Sequence, residues 1–215
     1  MARPHRATAL LVAEITCHHT LTSCSIGVVI HYRLARPSDA AAIADLHADS
    51  WRRAYRGFLS DSFLDHEVAA DRAAVWRQRF HEPDPGLVTM TVVGEAHGEV
   101  HGFAHSVAAD DPQWGTLLDN LHVRHDVRRL GIGTRLMAET ARWLEDHGYD
   151  EGLYLWVVER NQTARHLYDA VGGRPVGSGV WDAPGGASVA SLRYWWPRPS
   201  DLARRLPAGI ATLGS

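Results

Sequence analysis

The run Leu153-Tyr154-Leu155-Trp156-Val157-Val158 constrains the fold more than any other stretch. It is short, apolar throughout, rich in β-branched and aromatic residues, and opens after Gly152, so it reads as a strand. A strand with no polar face needs cover on both sides. A chain containing one therefore builds a layered α/β domain with helices packed against a sheet.

Segments with helical spacing lie on either side of it. Gly131 to His147 carries Ile132, Leu136, Ala138, Trp143 and Leu144, with Gly148 as its stop. Asn161 to Ala170 is a second helix, ended by Gly172-Gly173. Earlier, His31 to Arg36 reads as a short strand closed by Pro37, and Ser38 is placed to cap a helix carrying Ile43, Ala44, Leu46 and His47. Phe63 to Phe80 is the next helix, stopped by the Pro/Gly run that ends at Gly86. Strands are expected over Leu87–Gly94, Val100–Ala108 and Gly115–Val123, and two more on either side of a turn at Asp182–Gly186, the last ending at Trp196.

The sum is one mixed α/β domain over residues 31–197, a normal single-domain size. Residues 1–30 read as an extension with little structure, and 198–215 as a tail. Arg3, Arg6 and the apolar Ala9–Ala13 faintly resemble a signal peptide, but Glu14, His18 and His19 interrupt the pattern and no cleavage site follows.

Composition removes several function classes. All 22 cationic residues are Arg, so no lysine nucleophile or Schiff base is available. A net charge of -3 without a basic run argues against a nucleic-acid partner. No stretch of about 18 apolar residues exists, so no membrane-spanning helix is expected. Cys17 and Cys24, even with His18 and His19 beside them, match no common zinc spacing, so no metal is expected. The chain reads as cytoplasmic.

The segment Leu121-His122-Val123-Arg124-His125-Asp126-Val127-Arg128-Arg129-Leu130-Gly131-Ile132-Gly133-Thr134 joins a strand to a helix through a basic loop. The first turn of a helix has amides without intrahelical partners and a partial positive charge, so it attracts anions. Glycines let phosphate oxygens come close to those amides. The phosphate-binding P-loop pattern needs a lysine and fails here. The dinucleotide pattern needs a glycine where Leu136 stands. What fits is Arg128-x-x-Gly131-x-Gly133.

After the apolar strand comes Asn161-x-x-Ala164-x-x-Leu167-Tyr168-x-x-x-Gly172. With both motifs in this order, the chain resembles the GNAT superfamily of N-acetyltransferases, loosely over Tyr32–Trp196. The resemblance implies a central, mostly antiparallel twisted sheet with a splayed parallel pair, flanked by helices. It implies acetyl-CoA as co-substrate, lying in the gap between the strand ending at Val123 and Gly152–Val158. Leu121, His122 and Val123 would face pantetheine and the thioester carbonyl. Arg128, Arg129, Leu130, Gly131, Ile132, Gly133 and Thr134 would hold the pyrophosphate, with Asn161, Ala164 and Tyr168 also at the cofactor.

Tyr168 stands where the family places a general acid that protonates the departing thiolate, although a helical tyrosine can equally be core. The general base stays open. Leu118 occupies the position where many members carry Glu; Asp119 is the first candidate, a bulge being needed to re-aim it, with His122 and Glu159 as alternatives. Trp51, Tyr55 and Phe58 are candidates for an acceptor wall, as is Glu159 for acceptor contact, against routine core packing. Tyr194-Trp195-Trp196 suits core or a homodimer contact. The expected reaction is acetyl transfer to a small primary amine. The alternatives are a peptide or protein acceptor, and a CoA-binding sensor without turnover, to which Leu118 and Gly173 (where an aromatic is frequent) lend support.

Overall fold

The computed structural model describes residues 28–128, 130–184, 188–206 and 212–213. Its elements are β1 (Val28–Val29), β2 (His31–Leu34), α1 (Ala40–Ala54), α2 (Val68–His81), β3 (Thr89–Ala96), β4 (Glu99–Asp111), β5 (Gly115–Val123), α3 (Ile132–Asp146), β6 (Leu153–Val158), α4 (Gln162–Ala170), β7 (Arg174–Asp182), β8 (Ser188–Trp196), α5 (Pro199–Arg205) and β9 (Thr212–Leu213). Seven strands form one sheet in the order β2-β3-β4-β5-β6-β8-β7. Every neighbouring pair is antiparallel except β5 and β6, which run parallel.

Alternation along β6 sends Leu153, Leu155 and Val157 into a core shared with Leu136, Met137, Ala164, Tyr168 and Leu202, beneath α3, α4 and α5. Tyr154, Trp156 and Val158 take the opposite face. On that face α1 and α2 cover β3 and β4 through Ile43, Leu46, Trp76, Val93 and Phe103. The end of α1 and a π-helical turn over Phe63–Glu67 then reach across to Val158, Trp181 and Val189. The apolar strand is thus covered on both sides, with Trp156 alone partly exposed.

Three local readings of the sequence differ from the structure. Ser38 does not cap α1; the chain enters through a 3-10 turn at Pro37–Asp39, and the Asp39 carboxylate accepts from Arg36 N–H (2.6 Å) and Arg33 Nη1 (2.7 Å). Ile30 is buried in the main core and Val28–Val29 pair with Thr212–Leu213, so the packed body starts before His31. The tail contains α5, whose Leu202 and Ala203 enter the core beside α3. Asp150 holds its start, accepting from Ser200 N–H (2.8 Å) and Oγ–H (2.7 Å). Residues 1–27, with Cys17 and Cys24, and the turn at 185–187 lie outside the described residues.

Candidate active site

The parallel pair is joined only at its beginning. Thr116 lies opposite Leu153 and Leu117 opposite Tyr154, and no pairing continues beyond. The opening follows from a bulge in β5: Leu118 faces Ser106 and Asn120 faces His105, leaving Asp119 as an extra residue. The bulge changes which amides face which neighbour. Thr116 N–H donates to Gly152 O across to the β6 side (2.9 Å), whereas beyond the bulge Arg124 N–H donates to His101 O across to β4 (2.8 Å). Hydrogen-bonded pairs alternate in an antiparallel ladder. His122 is therefore bonded to Phe103, and Leu121 and Val123 turn their N–H and C=O groups toward β6. By the same phase, Glu159 N–H donates to Ala190 O (2.9 Å), so Trp156 and Val158 turn theirs toward β5. Two backbone edges face one another across a gap, a geometry that an extended amide-bearing chain can fill as an added strand.

The glycine turn stands at the mouth of this gap. Gly131 adopts φ 75°, in the left-handed region, and is the N-cap of α3. A Cβ there would meet nothing within 4 Å, so the turn is not plugged. Arg135 N–H donates to Gly131 O (2.9 Å) as the first bond of the helix, so Ile132, Gly133 and Thr134 amides have no acceptor within it. Ile132 sends its side chain into the core, and Leu130 packs against the same core. Arg128 is half-buried in the loop, and Arg129 lies outside the described residues. Asn161 Oδ1 accepts from Ala164 N–H (3.1 Å), capping α4. Ala164 spends its amide on that cap and its methyl in the core, so it spaces the helix rather than offering a donor.

Tyr168 is fully buried beside Tyr194 and Trp196, with ring centres 5.5 and 5.9 Å away. Its hydroxyl has no partner among the described residues. Burial, with smaller contributions from Tyr55 and Tyr194, pushes its pKa well above the usual phenol value, so it is a proton donor at neutral pH.

On the other face a chain of rings leads away from β5. His122 lies 4.5 Å from His47, His47 5.4 Å from Trp51, and Trp51 5.2 Å from Tyr55 and 5.8 Å from Trp181. All five are buried. Both His122 ring nitrogens, His47 Nε2, Trp51 Nε1 and Trp181 Nε1 lack partners. Buried polar groups are normally paired, so this cluster together with the Tyr168 hydroxyl marks a place where a ligand or water completes the bonding. Trp76 Nε1–H donates to His47 Nδ1 (3.0 Å), which leaves the His47 proton on Nε2. Burial, then the Arg72 and Arg128 charges, lower the His122 pKa to about 3, so its ring is neutral.

The sequence candidates separate here. Trp51 and Tyr55 join the cluster, while Phe58 only packs partly buried against its rim. His47, Trp181 and Arg72, whose guanidinium lies 4.2 Å over the Trp51 ring, join it although the sequence singles none of them out as site residues; aromatic and basic residues four apart in helical segments are the available signal for His47 and Arg72. Asp119 is paired: Arg79 Nη2–H donates to its Oδ2 (2.5 Å) and Arg79 Nη1–H to Asn120 Oδ1 (2.7 Å). The bulge puts Asp119 and Asn120 on one face, toward α2, where Arg79 holds both. Leu118 is fully buried under α3. Glu159 is exposed beyond β6, outside the cluster. Gly173 lies against the Trp196 indole, where a Cβ would come within 2.5 Å of the ring, so Trp196 fills the space of the aromatic the resemblance implies. Tyr194 and Trp196 are core; Trp195 is partly exposed on the opposite face.

The sequence pattern of the Acetyltransferase (GNAT) family matches residues 42–172. The N-acetyltransferase YuaI of Bacillus subtilis is 26% identical over 135 residues, 62% of this chain and 74% of that protein. The PaiA N-acetyltransferase of Thermoplasma acidophilum, solved with coenzyme A, superposes with a TM-score of 0.59 at 16% identity, covering 77% of this chain and 99% of that one. An N-acetyltransferase of Staphylococcus aureus does so at 0.59 and 17% identity, covering 78% and 98%. The splayed pair, the glycine turn and the motifs on both sides of β6 coincide with the matched region, and the chain belongs to the GNAT family of acetyltransferases.

Proposed function

We propose that the protein transfers the acetyl group of acetyl-CoA to a primary amine by direct attack on the thioester. The observation that carries this reading is the open gap between β5 and β6, edged by backbone groups of Leu121, Val123, Trp156 and Val158, in a chain that also buries the unpartnered Tyr168 hydroxyl. These residues fit the cofactor: the gap takes pantetheine, and the amides of Ile132, Gly133 and Thr134 take the diphosphate. Acetyl-CoA supplies the activated acyl group and a thiolate leaving group.

The chain's own residues do the rest. The Leu121 or Val123 amide donates to the thioester oxygen as negative charge develops on it. Tyr168 donates its proton to the departing sulfur, and its raised pKa keeps that proton available. The acceptor enters on the α1/α2 face, where the unpartnered ring nitrogens of His47, His122, Trp51 and Trp181 gather, and meets Trp51, Tyr55 and Trp181. Removal of the amine's proton falls to His122 as a relay to water, since a pKa of about 3 makes its ring too weak a base to keep the proton. Its ring is neutral and offers a lone pair, while the Arg72 and Arg128 charges that disfavour its protonated form pass the proton on to water.

Heating the protein with and without acetyl-CoA tests the cofactor claim, since a ligand at a hundred times its Kd adds about 2.7 kcal/mol. No rise in Tm at millimolar acetyl-CoA ends it. Thiol release with a panel of amines tests transfer. A Tm rise without release from any amine favours a sensor domain.

A further inference from the structure

The α1/α2 face of the sheet carries a cation with no anion. Arg193 stands on β8 opposite Trp156 of β6. Its guanidinium carbon lies 4.5 Å from the Trp156 ring centre, 4.9 Å from Trp114 and 5.4 Å from Tyr154. Among the described residues it has no ion pair and no hydrogen bond, and its Nε is buried without a partner. Rings attract a cation but take none of its N–H donors, and a guanidinium has five. Trp195, two residues along the same strand and so on the same face, also buries an unpartnered Nε1–H. The Asp110 carboxylate accepts from the Tyr154 hydroxyl (2.5 Å) and makes no ion pair with the guanidinium. Donors without acceptors select an anion, and the flat fork of Arg suits a carboxylate.

The position ties this group to the gap. β8 stands two strand spacings from a chain added in the gap, but the Arg193 guanidinium reaches over the Trp156 ring on β6, so the charge lies about one spacing, roughly 4.8 Å, from the gap on the face by which the acceptor enters. Across the next strand, Gly177 opposite Arg193 has nothing within 4 Å of where a Cβ would stand, so β7 leaves the approach clear.

We propose that Arg193 binds a carboxylate carried by the acceptor, so that the substrates are amino-carboxylates such as ω-amino acids or short peptides, in preference to polyamines. This rests on the acetyl-transfer reading and deepens it. One strand spacing across and up to two residues along places amine and carboxylate roughly 5–8 Å apart, the span of 4-aminobutyrate to 6-aminohexanoate.

The test titrates tryptophan fluorescence of the full-length CoA-bound protein with 6-aminohexanoate and with 6-aminohexanamide, and repeats both in Arg193→Gln. The acid is expected to saturate at a concentration at least about tenfold below the amide, as one charge-assisted pair implies, and Arg193→Gln to erase the difference while keeping the acetyl-CoA rise in Tm. No saturable response to the acid, equal responses to acid and amide, or a preference that survives in Arg193→Gln overturns the proposal. The wild-type comparison decides even if the variant does not fold. Thiol release is scored separately: none from any amine, with the fluorescence preference intact, overturns acetyl transfer and leaves carboxylate recognition standing.

Discussion

Gly115 and Gly152 meet back to back where β5 and β6 begin. A Cβ on Gly115 would lie 2.4 Å from Gly152 O, and one on Gly152 2.5 Å from Trp114 O. Both have positive φ, 82° and 138°. Thr116 N–H donates to Gly152 O at this point (2.9 Å). The apex of the gap is thus two backbones in contact, and from it the bulge at Asp119 lets the strands diverge.

Gly152→Ala forces either the strand or Trp114 to move. The expected cost is about 2–4 kcal/mol, lowering Tm by roughly 5–15 °C for a chain of this size. Gly148→Ala is the control, because Gly148 also has positive φ (78°) but open space around it. It bears only the conformational cost of about 1 kcal/mol. Equal melting temperatures for the two variants would mean that contact at the apex is unimportant.

Tyr168→Phe removes a buried hydroxyl that has no partner in the free protein. Stability of the free protein is therefore expected to stay level or rise slightly. Turnover is expected to fall about 100-fold or more, with the acetyl-CoA shift in Tm retained. Unchanged kcat takes Tyr168 out of the mechanism and leaves it as core.

The fold was legible because its signals are local. The apolar β6 run, the glycine stops and the helical spacing of α3 and α4 each lie within one segment. What was not legible is non-local. The start of α5 is held by Asp150, fifty residues earlier, and no pattern near Pro199 announces that. Asp119 reads as a free carboxylate until α2 brings Arg79 beside it. The His47–His122 pair joins a helix to a strand 75 residues on. From the sequence, a bulge in β5 is what could aim Asp119 at the thioester; the bulge exists, and it aims Asp119 at α2 instead.

Loss of stability in acid follows chiefly from three of the four buried histidines. His122 has its pKa lowered to about 3, and His47 and His105 lie well below the ordinary value, all chiefly through burial. Each is neutral when folded, whereas the unfolded chain takes up a proton below about pH 6.5. The unfolded state then binds more protons, so this contribution is whole above pH 6.5 and is lost as pH falls toward the folded values, by roughly 1 kcal/mol per pH unit for each ring. Tm is expected to fall steeply below about pH 6.5, and less steeply in His122→Phe. A Tm that is flat between pH 7 and pH 5 would show that these rings gain protons without unfolding.

The Arg79–Asp119 pair separates stability from turnover. Asp119 is almost wholly buried, with its side chain 7% exposed, while Arg79 is 27% exposed, so removing the carboxylate charge leaves a guanidinium that water partly satisfies. Asp119→Asn is expected to cost about 1–3 kcal/mol, seen as a Tm lower by roughly 2–10 °C. It also loosens the bulge, because Arg79 holds Asp119 and Asn120 together. Turnover on a good amine is expected to change less than about tenfold at any pH where the variant is folded, if the proton leaves through His122 as proposed. If Asp119→Asn instead loses about 100-fold or more in kcat, keeps its affinity for acetyl-CoA and shifts the acid limb of the pH profile, then the carboxylate breaks from Arg79 during turnover and is the base after all.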